Sequence, residues 1–192
     1  MTKKERAAAA KTAERLERAL ADRLLVRVRR SIPDADVLDG FVVGIGRKWV
    51  ALARLSDRVE LDGWTLLRLS DVHSVKITPD PECFAIRALR LREQWPPPAV
   101  EVDLDDDAGA VEGAAGSRPM VAVRCEWDRS DVCWIGSVRS VKGSTLSLLE
   151  VGVEAEWASK ARRFDLDDIT RLDFGGGYEE ALALVAGPAP ER

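Results

Sequence analysis

Gly40-Phe41-Val42-Val43-Gly44-Ile45 is answered 96 residues later by Gly136-Ser137-Val138-Arg139-Ser140-Val141, and this echo decides the fold. Working outward, Trp49-Val50-Ala51-Leu52 lies against Thr145-Leu146-Ser147-Leu148 at the same offset. Leu69-Ser70-Asp71-Val72-His73-Ser74-Val75 lies against Leu166-Asp167-Asp168-Ile169-Thr170-Arg171-Leu172 at an offset of 97, so one indel separates the blocks. A shared spacing of small, β-branched and acidic positions predicts one architecture used twice. Each unit then has roughly 70 to 90 residues, near the lower limit for a self-sufficient core, and the two are expected to pack together.

The reading along the chain is helix, five short strands and a helical tail, twice over. Residues 3–24 are rich in alanine, and Leu16, Leu20 and Leu24 recur every four residues, which predicts a helix with Glu14 and Arg18 paired on its surface. From Leu24 the period changes to two, with Val26 and Val28 alternating with Arg27 and Arg29, as in a half-buried strand. Strands follow at Phe41–Ile45, Trp49–Leu55, Trp64–Leu69 and Val72–Ile77, while Phe84–Leu91 reads equally as strand or short helix. In the second unit the strands fall near 120–127, 133–141, 145–151, 161–166 and 169–174, with a last helix over Tyr178–Val185. The predicted organisation is residues 1–95 for the helix and first unit, 96–118 for a Pro-rich and acidic linker holding a short helix, and 119–192 for the second unit with its C-terminal helix. The fold class is mainly β with flanking helices: two tandem five-stranded barrels, closed because an open five-stranded sheet leaves unpaired edges.

Composition narrows the function. Hydrophobic residues at 46% with 32% charged describe a soluble globular chain, and no apolar run approaches the length of a membrane span. Met1-Thr2-Lys3-Lys4-Glu5-Arg6 lacks the apolar core of a signal peptide, so the expected location is cytoplasmic. Cys83, Cys125 and Cys133 form no CxxC pair and His73 is the only histidine, so neither a metal nor another cofactor is expected. Cys125 and Cys133 are read as buried free thiols or, alternatively, as a disulfide between adjacent strands. Residues 1–30 carry ten bases against four acids, a net +6, in a chain whose total is −4. Such asymmetry marks either an arm for an acidic partner or a helix whose charges are neutralised within the molecule.

The two Gly-apolar-bend-apolar blocks, each followed by a Val/Ile-rich last strand, resemble the Sm-like family and its bacterial Hfq branch, over roughly residues 24–77 and 120–174. The tandem layout is also similar to an actinobacterial-type family for which no activity is implied. The resemblance implies an SH3-like barrel, ring-type self-association and RNA binding. In that family an Asp/Asn pair between strands two and three, and in Hfq a Lys-His pair before the last strand, hold RNA. Here the first location has Gly46-Arg47-Lys48 and Lys142-Gly143-Ser144, and the second has Ser70-Asp71 and Asp167-Asp168. Carboxylates facing a phosphodiester repel it, so the inherited RNA surface is weakened.

Candidate sites follow. Arg27, Arg29 and Arg30, with Arg47 and Lys48 brought near by folding, form the nucleic-acid candidate, with Arg27 and Arg29 on one solvent-facing side. Trp64, Trp134 and Trp157 sit at strand ends or beside turns and form the protein-contact candidate, the competing reading being core filling. Asp71 and Asp168 are expected to cap the bend entering the last strand, and His73 to lie on the surface. Gly175-Gly176-Gly177 lacks the Lys-Ser/Thr of a phosphate loop. With no acid/base set recurring in the halves, the expected function is a non-enzymatic binding or scaffolding protein. It is expected to contact a protein or itself, with no small-molecule substrate and no membrane. The alternative is RNA or DNA binding through the basic N-terminal helix and first strand.

Overall fold

A computed structural model describes residues 3–191; Met1, Thr2 and the side chains of Lys3, Lys4 and Glu5, part of the basic segment, lie outside the described residues. The first half runs α1 (Lys3–Asp22), β1 (Leu25–Arg30), β2 (Leu38–Ile45), β3 (Trp49–Leu55), β4 (Leu61–Arg68), β5 (Val72–Ile77) and α2 (Phe84–Leu91). The second half runs α3 (Asp107–Ser117), β6 (Val121–Arg124), β7 (Trp134–Lys142), β8 (Thr145–Glu150), β9 (Arg162–Asp165), β10 (Arg171–Phe174) and α4 (Gly177–Ala186). Three-residue 3₁₀ turns, Leu69–Asp71 and Leu166–Asp168, join β4 to β5 and β9 to β10.

The repeat holds at the level of hydrogen-bond register. In β2 and β3, Gly40 faces Arg54 and Val42 faces Leu52; 96 residues on, Gly136 faces Glu150 and Val138 faces Leu148. Each pairing breaks at the same place, between Val42 and Gly44 and between Val138 and Ser140. The β1–β5 pair Val28 and Val75 becomes Val123 and Leu172. Two one-residue indels separate the halves: one falls between β1 and β2, where the offset passes from 95 to 96, and one between β3 and β4, where Val50 facing Leu67 becomes Leu146 facing Phe164. Helices repeat too, with α1 packed on β2 and β5, and α3 on β7 and β10.

The ten antiparallel strands form one continuous sheet, in the order β5-β1-β2-β3-β4-β10-β6-β7-β8-β9, where the sequence predicts two closed barrels. The order inside each half is the same. What joins them is the pairing of β4 with β10, Arg171 facing Leu67 and Phe174 facing Trp64. An unpaired strand edge carries a row of unsatisfied N–H and C=O groups, and each half satisfies one edge of the other. β4 and β5 stand at opposite ends of their half's strand order, yet three residues connect them. A flat arrangement would separate them by roughly 19 Å, so each half curls.

One hydrophobic cluster crosses the seam: Trp49, Ala51 and Leu66 of the first half pack with Val121, Val123, Leu148, Phe164, Ile169 and Leu172 of the second. The first half's own cluster includes Leu16, Ala19, Val26, Val28, Leu52 and Val75. Leu20 is exposed, so the buried stripe of α1 is Leu16 and Ala19, three apart, and Arg18 pairs with Asp22 rather than Glu14. The acidic segment resolves into α3, whose N-cap Asp106 accepts from Gly109 N at 3.0 Å.

Candidate interaction site

The five basic candidates do not form one patch. Arg27 and Arg29 share the exposed face of β1, as alternation predicts. Arg27 is held by the facing Asp39 through two hydrogen bonds of 2.7 and 2.6 Å, which raise its pKa further. Arg30 is on the other face and buried, its guanidinium donating to both carboxylate oxygens of Glu126, Nη2 to Oε1 at 2.7 Å. Arg47 and Lys48 face the acidic segment: Arg47 N donates to Asp105 Oδ1 at 2.6 Å and the Lys48 ammonium pairs with Asp107. Arg29 alone has no partner of its own among the described residues.

Asp107 is the hinge of this contact. It also accepts from Trp49 Nε1 at 2.9 Å and Arg68 Nη1 at 3.2 Å, while Arg68 lies over the Trp49 ring at 4.7 Å. The Lys48 and Trp49 amides both donate to the Leu104 carbonyl, at 3.2 and 3.0 Å. The turn between β2 and β3, which in the Sm resemblance faces RNA, is thus occupied by this chain's own residues 104–107.

The three candidate tryptophans are half-buried, and each has a partner within the chain. Trp64 stacks on Phe174 at 5.7 Å across the seam and donates to Pro98 O at 3.2 Å. Trp134 meets Phe164 edge-on at 5.1 Å, and Trp157 donates to Ala186 O at 3.2 Å while packing beside Val151 and Leu182. Trp127 is the exposed one; its Nε1 donates to Asp71 Oδ1 at 3.3 Å. Asp71 is buried and Asp168 exposed, so the matched acids have diverged. The cap at the second bend is Asp165, which accepts from Asp167 N at 3.1 Å; its counterpart Arg68 makes no such cap. His73 is exposed, and all three cysteines are free thiols, with burial pushing Cys125 up to about 11.

Residues that sequence reasoning passed over build the seam. Glu126 accepts from Thr170 Oγ1 at 2.8 Å as well as from Arg30. Thr65 Oγ1 donates to Asp173 Oδ1 at 2.6 Å, and Arg68 reaches across to the Ile169 and Leu166 carbonyls at 2.8 and 2.7 Å. Arg171, almost wholly buried, is held by Asp173 at 2.8 Å and Asp36 at 3.0 Å. A detectable signal existed for Arg30: alternation puts it on the inward face of β1, and a buried guanidinium requires a carboxylate.

At the two ends of the sheet lie open clefts. One, of about 360 Å³, runs between α1 and β5 and is lined by Lys11, Glu14, Arg15, Arg18, Lys76, Ile77 and Pro79. The other, of about 460 Å³, lies beside β9 between Trp134, Phe164, Arg129, Arg162 and Arg163. Comparison of the chain with family models, curated proteins and solved structures finds no match. Among the described residues no cluster of three or more His, Cys, Asp or Glu is placed to hold a metal, and no helix is long and apolar enough to cross a membrane.

The seam carboxylates set an acid limit. Burial alone raises the Glu126 carboxyl, but the Arg30 guanidinium and the Thr170 hydroxyl outweigh it and hold the group below its ordinary value. Asp62 behaves alike: burial raises it, while Gly177 N and Arg54 bring it down. Folded values below unfolded ones give stability that is present above the unfolded pKa and lost as pH falls through the folded one. Urea midpoints should therefore drop from about pH 4.3 downward. Burial of Asp71 and Glu179 raises both, so their contribution runs the other way, lost as pH rises through their folded values. A midpoint that stays level from pH 6 to pH 3 would refute the acid limit.

Proposed function

We propose that the chain is a non-enzymatic scaffold of two Sm-like, SH3-like barrel units fused edge to edge, which works by contacting another protein at its outer sheet edges. The observation that carries this reading is the β4–β10 pairing between halves of identical strand order and register. Units that join by strand pairing once within the chain leave a strand of each kind, β5 and β9, with one edge free of a neighbouring strand at the two ends. The curl of each half and the matching breaks in register support the barrel assignment. Against nucleic acid stand the carboxylates: Asp39, Glu126, Asp105 and Asp107 neutralise Arg27, Arg30, Arg47 and Lys48.

Purified protein should have the solution mass of one 21.1 kDa chain and no absorbance from bound nucleic acid. Turnover of a substrate, or a co-purifying nucleic acid, would refute the reading. The nucleic-acid alternative keeps one specific support, the cations Lys11, Arg15, Arg18 and Lys76 at the α1–β5 cleft. It predicts affinity falling steeply with salt and lost on charge reversal of Lys11 and Arg18. Deleting residues 1–23 is a poor substitute test, because it removes Leu16 and Ala19 from the core.

A further inference from the structure

The seam is a docked strand pair, and the repeat supplies an unfilled copy of each of its sides. β9 is the counterpart of β4, and β5 the counterpart of β10, at the two ends of the sheet. A second copy joined end to end in the seam register would set Lys76 against Arg162, where Asp173 now meets Thr65. It would set Val75 against Arg163, where Leu172 meets the fully buried Leu66, and Ile77 against Ala161 in place of the Phe174–Trp64 stack. Arg68, which reaches two carbonyls across the seam, is replaced by Asp165, which has no donor to offer. Like charges directly opposite one another destabilise a strand pair, and an arginine in a leucine's place would have to be desolvated. The two ends do not fit each other.

β5 nevertheless has the features of a receiving edge. The Val75 carbonyl, on the side away from β1, accepts from Arg15 Nη1 at 2.9 Å. Lys76 is exposed, and with Lys11, Arg15 and Arg18 it makes a cleft of four cations and one acid, Glu14. Among the described residues Arg18 shares its charge only with exposed Asp22, at 3.6 Å. At the seam, the acid is on β10 (Asp173) and the donor on β4 (Thr65). On β5 that polarity is inverted, since Lys76 stands where Asp173 does. The strand that completes β5 must therefore carry a carboxylate at the position Thr65 holds in β4.

We propose that the β5 edge, with the cleft beside α1, receives an extended acidic segment of a different protein, which adds an eleventh strand to the sheet. The incoming backbone satisfies the outward N–H and C=O groups of β5, displaces Arg15 from Val75, and so frees that guanidinium for a second carboxylate. Main-chain bonds supply affinity and the cations supply the choice of partner. This inference rests on the scaffold reading and adds to it the edge used and the chemistry of the occupant.

The test uses the full chain and two labelled peptides copying residues 60–69, one with Thr65→Glu and one with Thr65→Lys. Fluorescence anisotropy should show the Glu peptide binding at least about tenfold more tightly, and Lys76→Glu, at an exposed position, should reverse that order. Equal affinity for both peptides, or a preference that Lys76→Glu leaves intact, overturns the assignment. So does tighter binding of a twelve-nucleotide single strand that displaces the Glu peptide. A protein that binds neither peptide but remains a monomer free of nucleic acid sinks the β5 proposal alone. Turnover, or nucleic acid carried through purification, sinks the scaffold reading as well.

Discussion

Glu126→Ala should lower the unfolding free energy by about 3–5 kcal/mol, the largest loss of any single side chain at the seam. Among the described residues the carboxylate is the only anion paired with the Arg30 guanidinium, and both side chains are essentially shut off from solvent. Removing one member of such a pair leaves an uncompensated buried charge, which costs far more than the pair's own net worth. Arg30 Nε is already buried without a hydrogen-bond partner, so the guanidinium of the variant would have three unsatisfied donor groups. Replacing both members, Arg30→Met with Glu126→Leu, should recover most of the loss, since an apolar pair of similar volume needs no desolvation of charge. Urea denaturation of the single and double variants measures both numbers. A loss under about 1 kcal/mol for Glu126→Ala would mean that water reaches the pair and that the halves are loosely joined.

That ion pair also marks where the sequence stops being readable. Strand positions, the indel between β3 and β4 and the helix over 107–117 are written in spacing and composition, because alternation, glycine and a capping aspartate act over a few residues. Edge pairing of β4 with β10 is not written there. It depends on Thr65, Arg68 and Leu66 meeting Asp173, Ile169 and Leu172, partners about a hundred residues away that leave no periodic trace. For the same reason the sequence leaves Trp64 open between a protein contact and the filling of the core, whereas in the structure it stacks on Phe174. Divergence between the repeats hides the rest. By register Cys125 occupies Arg30's place and Ser31 that of Glu126, so neither half contains the pair, and only their union does.

The two glycines that open the echoed blocks should be nearly irreplaceable. Gly40→Ala and Gly136→Ala are each expected to cost about 3 kcal/mol, at the upper end for overpacking by one carbon. A Cβ on Gly40 would overlap the carbonyl oxygen of Ala53, and one on Gly136 the carbonyl oxygen of Leu149. Ala53 and Leu149 are themselves 96 residues apart, so a single rule of register, the close approach of the third strand's backbone to the second, requires glycine in both halves. The obstructing atom is backbone, so no side-chain rotation relieves it; the strands must separate and weaken their ladder. Gly116 provides the contrast. It lies in α3 with nothing within 4 Å of its would-be Cβ, and Gly116→Ala should stabilise the chain by about 0.5–1 kcal/mol through helix propensity. Thermal unfolding of the three variants would separate the cases. If Gly136→Ala unfolds at the wild-type temperature, β7 and β8 lie far enough apart to admit a Cβ, and the shared register that defines the duplication fails in the second half.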